Sequence, residues 1–188
     1  MNRIIRYTLA LGLLIICLSC EDFVQNVEPS ILFVDDALLD TEAQIPFLLD
    51  GVERHFRIVL GLVTTLSDGL SDELDCDPAV PGATNLAIEI DGGQILLTNF
   101  SVDALNDALG EYRLHADTLV TRIGRISFTN EEFRERALFD AHFHGAIARY
   151  LYATYLGLDP LVGGGVINAG PFIPSVQMYA LAMQKLEE

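Results

Sequence analysis

Hydrophobic and polar positions alternate along the chain with a helical period over most of its length. Ile45, Leu48, Leu49, Val52, Phe56, Val59, Leu62, Val63 and Leu66 recur at helical spacing, which predicts a first helix over about 41–66. Thr41 and Gln44 match a capping box at its start. A second helix over about 102–126 has the cleanest pattern. Val102, Leu105, Leu109, Tyr112, Ala116, Leu119, Ile123 and Ile126 keep a 3,4 alternation throughout. Such a seam calls for a long antiparallel partner at a shallow crossing angle. Thr129 and Glu132 match a second capping box, and a third helix is predicted from there to about Leu156. It sets bulky Phe139, Phe143, Ile147 and Tyr150 beside small Ala137, Ala141, Gly145 and Ala148, which would let a neighbour approach closely. Ser175 is placed to cap a fourth helix.

Between the first two helices the period changes. "SDGLSDELDCDPAVPGA" is an acidic, turn-rich loop. After it Leu86, Ile88 and Ile90 alternate, "DGG" supplies a turn, and Ile95 and Leu97 resume, which predicts a small β-hairpin. The expected fold is therefore all-α, antiparallel helix hairpins with a small β-hairpin and loop excursion.

The first forty residues follow another logic. Arg3 and Arg6 precede an apolar run from Thr8 to Leu18 that Glu21 and Asp22 end abruptly. A membrane-spanning helix needs roughly 20 apolar residues, so a signal peptide over 1–19 is favoured. "LSC" at 18–20 resembles a bacterial lipobox, in which Cys20 becomes the first mature residue and carries lipid; Cys17 stands where that pattern usually has Leu. The acidic pair after Cys20 resembles the export tag of surface lipoproteins in the Bacteroidetes. An ordinary secreted protein with a free Cys20, or a Cys20–Cys76 bridge, is the alternative. Residues 20–40 read as an extended acidic tether leading into a helical domain over 41–188.

Charge narrows the partners. The chain has 11 basic and 27 acidic residues, a formal −16. Loss of Arg3 and Arg6 with the signal peptide would leave nine bases and a formal −18. Nucleic acid, which demands basic patches, is excluded on this balance. An electrostatic hold on anionic lipid is disfavoured too.

Local chemistry is sparse. On a helix His142 and His144 lie about 200° apart and cannot grip one ion; Asp140 and His144 would supply only two ligands. Asp68, Asp72, Glu73, Asp75 and Asp77 crowd one loop, but without the spacing of a calcium loop. "GGG" at 163–165 lacks the strand and Lys-Ser/Thr of a phosphate loop and reads as a flexible connector. No catalytic constellation, metal site or cofactor motif stands out, and no enzyme is expected.

"RERALFDAHFHGAIARYLYATYLGLDPLV" resembles a segment of the SusD/RagB-type nutrient-binding lipoproteins, where such a helix ends in a Gly-x-x-Pro turn, here Gly157 to Pro160. The order of features is similar as well: lipobox, acidic tether, "TEAQIPFLLDGVERHF", "SDEL", a long helix, then a helix ending "ALAMQKLEE". The tetratricopeptide pattern is met only in part, by Ala146, Tyr150 and Ala153, with Pro160 displaced by two. The resemblance implies tetratricopeptide-like helix pairs and the N-terminal portion of a longer chain. It implies outer-membrane anchoring through Cys20 and capture of a glycan or peptide for a TonB-dependent, SusC-like transporter. No ligand motif of the family maps onto a residue here, so ligand contacts are expected in the 68–98 region or beyond the chain. A short lipidated helical scaffold without nutrient binding is the alternative.

Overall fold

The computed structural model describes residues 34–71, 73–74, 77, 90, 99–156, 164–166 and 171–188. A boundary between compact units falls between Leu39 and Asp40. Cys20, Cys76, the signal peptide, the Gly157–Pro160 turn and all of the expected 86–97 hairpin except Ile90 lie outside the described residues. Four long helices are described: α1 (Ile45–Leu70), α2 (Phe100–Arg125), α3 (Glu131–Tyr155) and α4 (Ser175–Glu187). The all-α expectation holds for these residues.

Side-chain pairings give the helix directions. His55 meets His115 and Phe56 meets Tyr112, while Asp40 meets Arg122, so positions rise on α1 as they fall on α2. Tyr112 with His144 and Asn106 with Tyr152 show the same for α2 and α3. Tyr150 with Tyr179 and His142 with Glu188 show it for α3 and α4. Each helix is antiparallel to the next, and the short 126–130 link makes that natural for α2 and α3. The α2 seam lies in the core as the period requires: Leu105, Leu109, Tyr112, Ala116, Leu119 and Ile123 are buried, with Val102 and Ile126 half-buried at its ends.

Both helix starts read as capping boxes are corrected. Thr41 makes no side-chain cap, and Glu42–Gln44 forms a 3-10 turn before α1. Pro46 sits in the first turn of α1, where its missing N–H has no intrahelical partner to lose. Thr129 does not cap α3. Its N–H and hydroxyl both donate to the Glu42 carboxylate at 2.8 Å, and the Asn130 side chain accepts from Phe133 N instead. α2 likewise starts two residues early, because the buried Asn99 side chain accepts from Ser101 N and Val102 N. Ser175 is the first residue of α4, not its cap; its buried Oγ has no hydrogen-bond partner among the described residues.

Two expectations about extended chain also change. Asp36–Leu39, read as part of an extended tether, forms a 3-10 turn. Gly164 and Gly165, read as a flexible connector, belong to β1 (Gly164–Val166), which pairs antiparallel with β2 (Phe172–Pro174). A Cβ on Gly165 would stand 2.7 Å from the Tyr152 ring, so glycine here is a packing requirement. The Tyr152 hydroxyl donates to the Asn106 carbonyl, tying the ring over that glycine to α2.

Candidate functional site

The bulky side of α3 is not core. Ala137, Ala141, Gly145 and Ala148 face inward, whereas Phe139 is 65% exposed and Phe143 and Tyr150 are also exposed. α4 repeats the arrangement. Ser175, Met178 and Ala182 are buried, while Val176, Tyr179, Met183 and Leu186 form a second apolar stripe, with Met183 58% exposed. Because the helices run antiparallel, the two exposed stripes lie side by side. The Tyr150 and Tyr179 rings meet at 5.9 Å, and Tyr179 also shares a 3.0 Å hydrogen bond with Thr154. At the far end Leu138, Phe139, Phe143 and Leu186 wall a cleft of about 250 Å³. The Phe139 and Phe143 rings stand nearly parallel, 6.0 Å apart.

Among the polar groups on the rim of this cleft, Lys185 and Glu188 serve each other. Lys185 Nζ donates to Glu188 at 2.5 Å, and His142 Nδ1 lies 3.1 Å from the same carboxylate, in contact but not aligned as a hydrogen bond. Burial, then the Lys185 charge, pushes the His142 imidazole below its ordinary pKa. The hydrogen bond from Lys185 holds the Glu188 carboxyl below the usual carboxylate range. A sugar ring stacked on aromatic side chains needs free donors and acceptors for its hydroxyls. This cleft offers hydrocarbon walls and a rim on which Lys185 and Glu188 are already engaged with each other. Its chemistry suits an apolar side chain.

Elsewhere on α3 lies a polar junction with α2. Asp117 receives Arg149 through both oxygens, Nη1 to Oδ1 at 3.0 Å and Nη2 to Oδ2 at 2.9 Å. It also accepts from Arg113 Nη1 at 3.1 Å. Arg149 Nη1 donates further to the Gly145 carbonyl. A Cβ on Gly145 would stand 3.4 Å from both Arg149 Nη1 and Asp117 Oδ1, so the ion pair lies directly against this small position of α3. A shallow hollow of about 370 Å³ opens above it, edged by Thr118, Thr121 and Lys185. The Arg149 guanidinium is committed to Asp117 and Gly145, so this is a brace between helices and not a ready anion site.

The two histidines diverge as the helical geometry requires. His142 turns to Glu188 on α4, whereas His144 turns inward, with Nδ1 2.6 Å from the Tyr112 hydroxyl and Phe56 against its edge. Burial lowers the His144 pKa and raises that of Tyr112, consistent with a neutral hydrogen-bonded pair. His55 and His115 stack between α1 and α2 at 4.3 Å, with Glu111 3.7 Å from His55. Among the described residues no group of three or more His, Cys, Asp or Glu is placed to hold a metal ion. Of the acidic loop, Asp72 and Asp75 lie outside the described residues; the Asp68 carbonyl accepts from Glu73 N and Leu74 N, closing the end of α1.

No described helix is long and apolar enough to cross a membrane. The chain matches no family model, no curated protein and no solved structure. The resemblance to SusD/RagB-type lipoproteins therefore rests on its motifs alone. What the sequence reading missed is the open face of α3 and α4. Its signal was present in the 3,4,3 spacing of Val176, Tyr179, Met183 and Leu186, but spacing does not say which of two apolar stripes on one helix goes inward.

Proposed function

We propose that the chain is a surface lipoprotein, held in the outer membrane by lipid on Cys20, that serves nutrient uptake. In this reading it captures a glycan or peptide and passes it to a TonB-dependent, SusC-like transporter. Its helices act as tetratricopeptide-like pairs that present docking faces, and it catalyses nothing. The observation that carries the reading is the helix that bears the sequence resemblance, α3. It pairs with α2 on one side and α4 on the other and still leaves an apolar aromatic face open. Monomeric proteins rarely expose contiguous apolar patches of this kind without a partner to cover them.

The test is extraction of the native lipoprotein in mild detergent, followed by a search for a co-purifying barrel protein. Recovery of a stoichiometric barrel with the chain is expected, and Cys20→Ser should move the chain from the membrane to the soluble fraction. Absence of any barrel across extraction conditions would overturn the transporter partnership. A second reading, a lipidated helical scaffold without nutrient binding, draws support from the hydrocarbon walls of the cleft and the Lys185–Glu188 pair on its rim. Calorimetric titration with oligosaccharides and with short peptides that form no helix separates the two, since only the first reading expects heat of binding from these.

A further inference from the structure

We infer that the groove between the exposed stripes of α3 and α4 seats one amphipathic helix of a partner protein, with basic residues at the end that lies over Glu135 and Glu187. The inference rests on the docking part of the reading above, and on neither the transporter nor a nutrient.

The shape argues for a helix. Two antiparallel helices present parallel ridges with a furrow between them, and a third helix packs ridges into that furrow. From Phe139 to Tyr150 the furrow runs about 16 Å at 1.5 Å per residue, room for roughly three turns. The cleft between Phe139, Phe143 and Leu186 has room for a large apolar side chain, which gives the partner an anchor at that end. Anchors on the partner would recur at i, i+3 or i+4, and i+7.

Charge fixes polarity and source. Residues 143–155 of α3 and 175–184 of α4 carry no exposed Asp, Glu, Lys or Arg, because Arg149 is buried. All charge on this face gathers at the other end. There Arg134 pairs with Glu131 and Lys185 with Glu188, leaving Glu132, Glu135 and Glu187 against Arg136. An excess of carboxylates at one end of an apolar furrow selects Lys or Arg at one end of its occupant. A second copy is opposed by a formal −16 on each chain, and an anionic membrane surface is opposed by the same charge.

The experiment uses the full chain with Cys20→Ser, which leaves off the lipid, and labelled 18-residue helical peptides read by fluorescence anisotropy. One peptide has a leucine stripe and three lysines at one end, a second has glutamates in place of the lysines, and a third has the leucines replaced by serine. Saturable binding of the basic peptide is expected, with the acidic one at least tenfold weaker and the gap closing in high salt. The leucine-free peptide should not bind. Phe143→Ser and Met183→Ser should each weaken the basic peptide at least tenfold. Glu135→Lys with Glu187→Lys should remove the preference for it. All these positions are solvent-facing, and circular dichroism checks that the helices persist. Absence of saturable binding, or binding indifferent to Phe143→Ser and Met183→Ser, would overturn the inference. So would a dimer in sedimentation that Met183→Ser dissolves, since a second copy would then fill the groove. Peptide binding without any co-purified barrel would remove the transporter and leave the docking helix in place.

Discussion

α2 and α4 carry the same 3,4 spacing of apolar residues with opposite outcomes. On α2 the stripe of Leu105, Leu109, Tyr112, Leu119 and Ile123 is shut between α1 and α3, and polar residues flank it. On α4 the stripe of Val176, Tyr179, Met183 and Leu186 faces outward, because Met178 and Ala182 take the inward side. α2 is apolar on one side only, so its orientation has a single solution. α4 is apolar on two sides, and a helix of that kind belongs between two neighbours. The comparison separates two kinds of information: a period says that a face is apolar, and only packing says what covers it.

The largest expected effect breaks the closed seam. Leu109 is fully buried, and Leu109→Ala removes three carbons from a site that cannot collapse freely. A loss of about 2–5 kcal/mol is expected, read from urea unfolding followed by circular dichroism. A loss below about 1 kcal/mol would mean the seam is loosely packed and the contrast with α4 is false.

Next comes the polar brace, which does for the α2–α3 contact what leucines do elsewhere in the seam. Asp117→Ala takes the carboxylate from a nearly buried Arg149. Loss of one partner from a buried ion pair costs about 3 kcal/mol, reduced here because Asp117 keeps a quarter of its side chain in water. Gly145→Ala alone should not destabilise, since its Cβ makes ordinary van der Waals contact and alanine is favoured over glycine inside a helix by about 0.5–1 kcal/mol. An equal loss for both variants would show that space, and not charge, holds this junction.

The legible part of the fold follows from the same contrast. The α2 seam and the helical stretches could be read because their signals are local and repeated. The caps could not. Thr129 and Glu132 match a capping box by type and spacing, yet the hydroxyl and N–H of Thr129 donate to Glu42, 87 residues earlier. Asn99 and Asn130 cap instead, each just upstream of the first residues that fit a period. Gly165 looked like part of a flexible connector because nothing nearby in sequence announces the Tyr152 ring that lies on it. For the candidate site the aromatic and apolar residues were visible. Their exposure depends on the competition between two stripes of α4, which a single sequence does not rank.

A smaller effect distinguishes the regions by pH. Burial lowers the His144 pKa, opposed by the charges of Glu53 on α1 and Asp140 on α3, and it also lowers His115 and His142. The folded state therefore sheds protons that the unfolded chain still holds. Stability should be complete above about pH 6.5 and decline as pH falls from there toward the folded values. The urea midpoint measured at pH 7.5, 6.5 and 5.5 should fall in that order, and His144→Gln should flatten the trend. A rising midpoint would mean that the folded state holds more protons on its histidines than the unfolded chain over this range. Below about pH 4.5 a second loss begins, as Glu42 is protonated and its hydrogen bonds from Thr129 weaken.

The smallest effect is the most telling for the open face. Met183→Ser removes as much apolar side chain as a core truncation, but from a position already in water. Surface changes away from caps, cavities and buried networks stay within about 0.5 kcal/mol. Unfolding of Met183→Ser should therefore superimpose on that of the parent, even as the variant loses the helical peptide. A loss near that of Leu109→Ala would mean the residue is covered within the chain itself. The stripe on α4 would then be core, like the stripe on α2, and no face would remain for a partner.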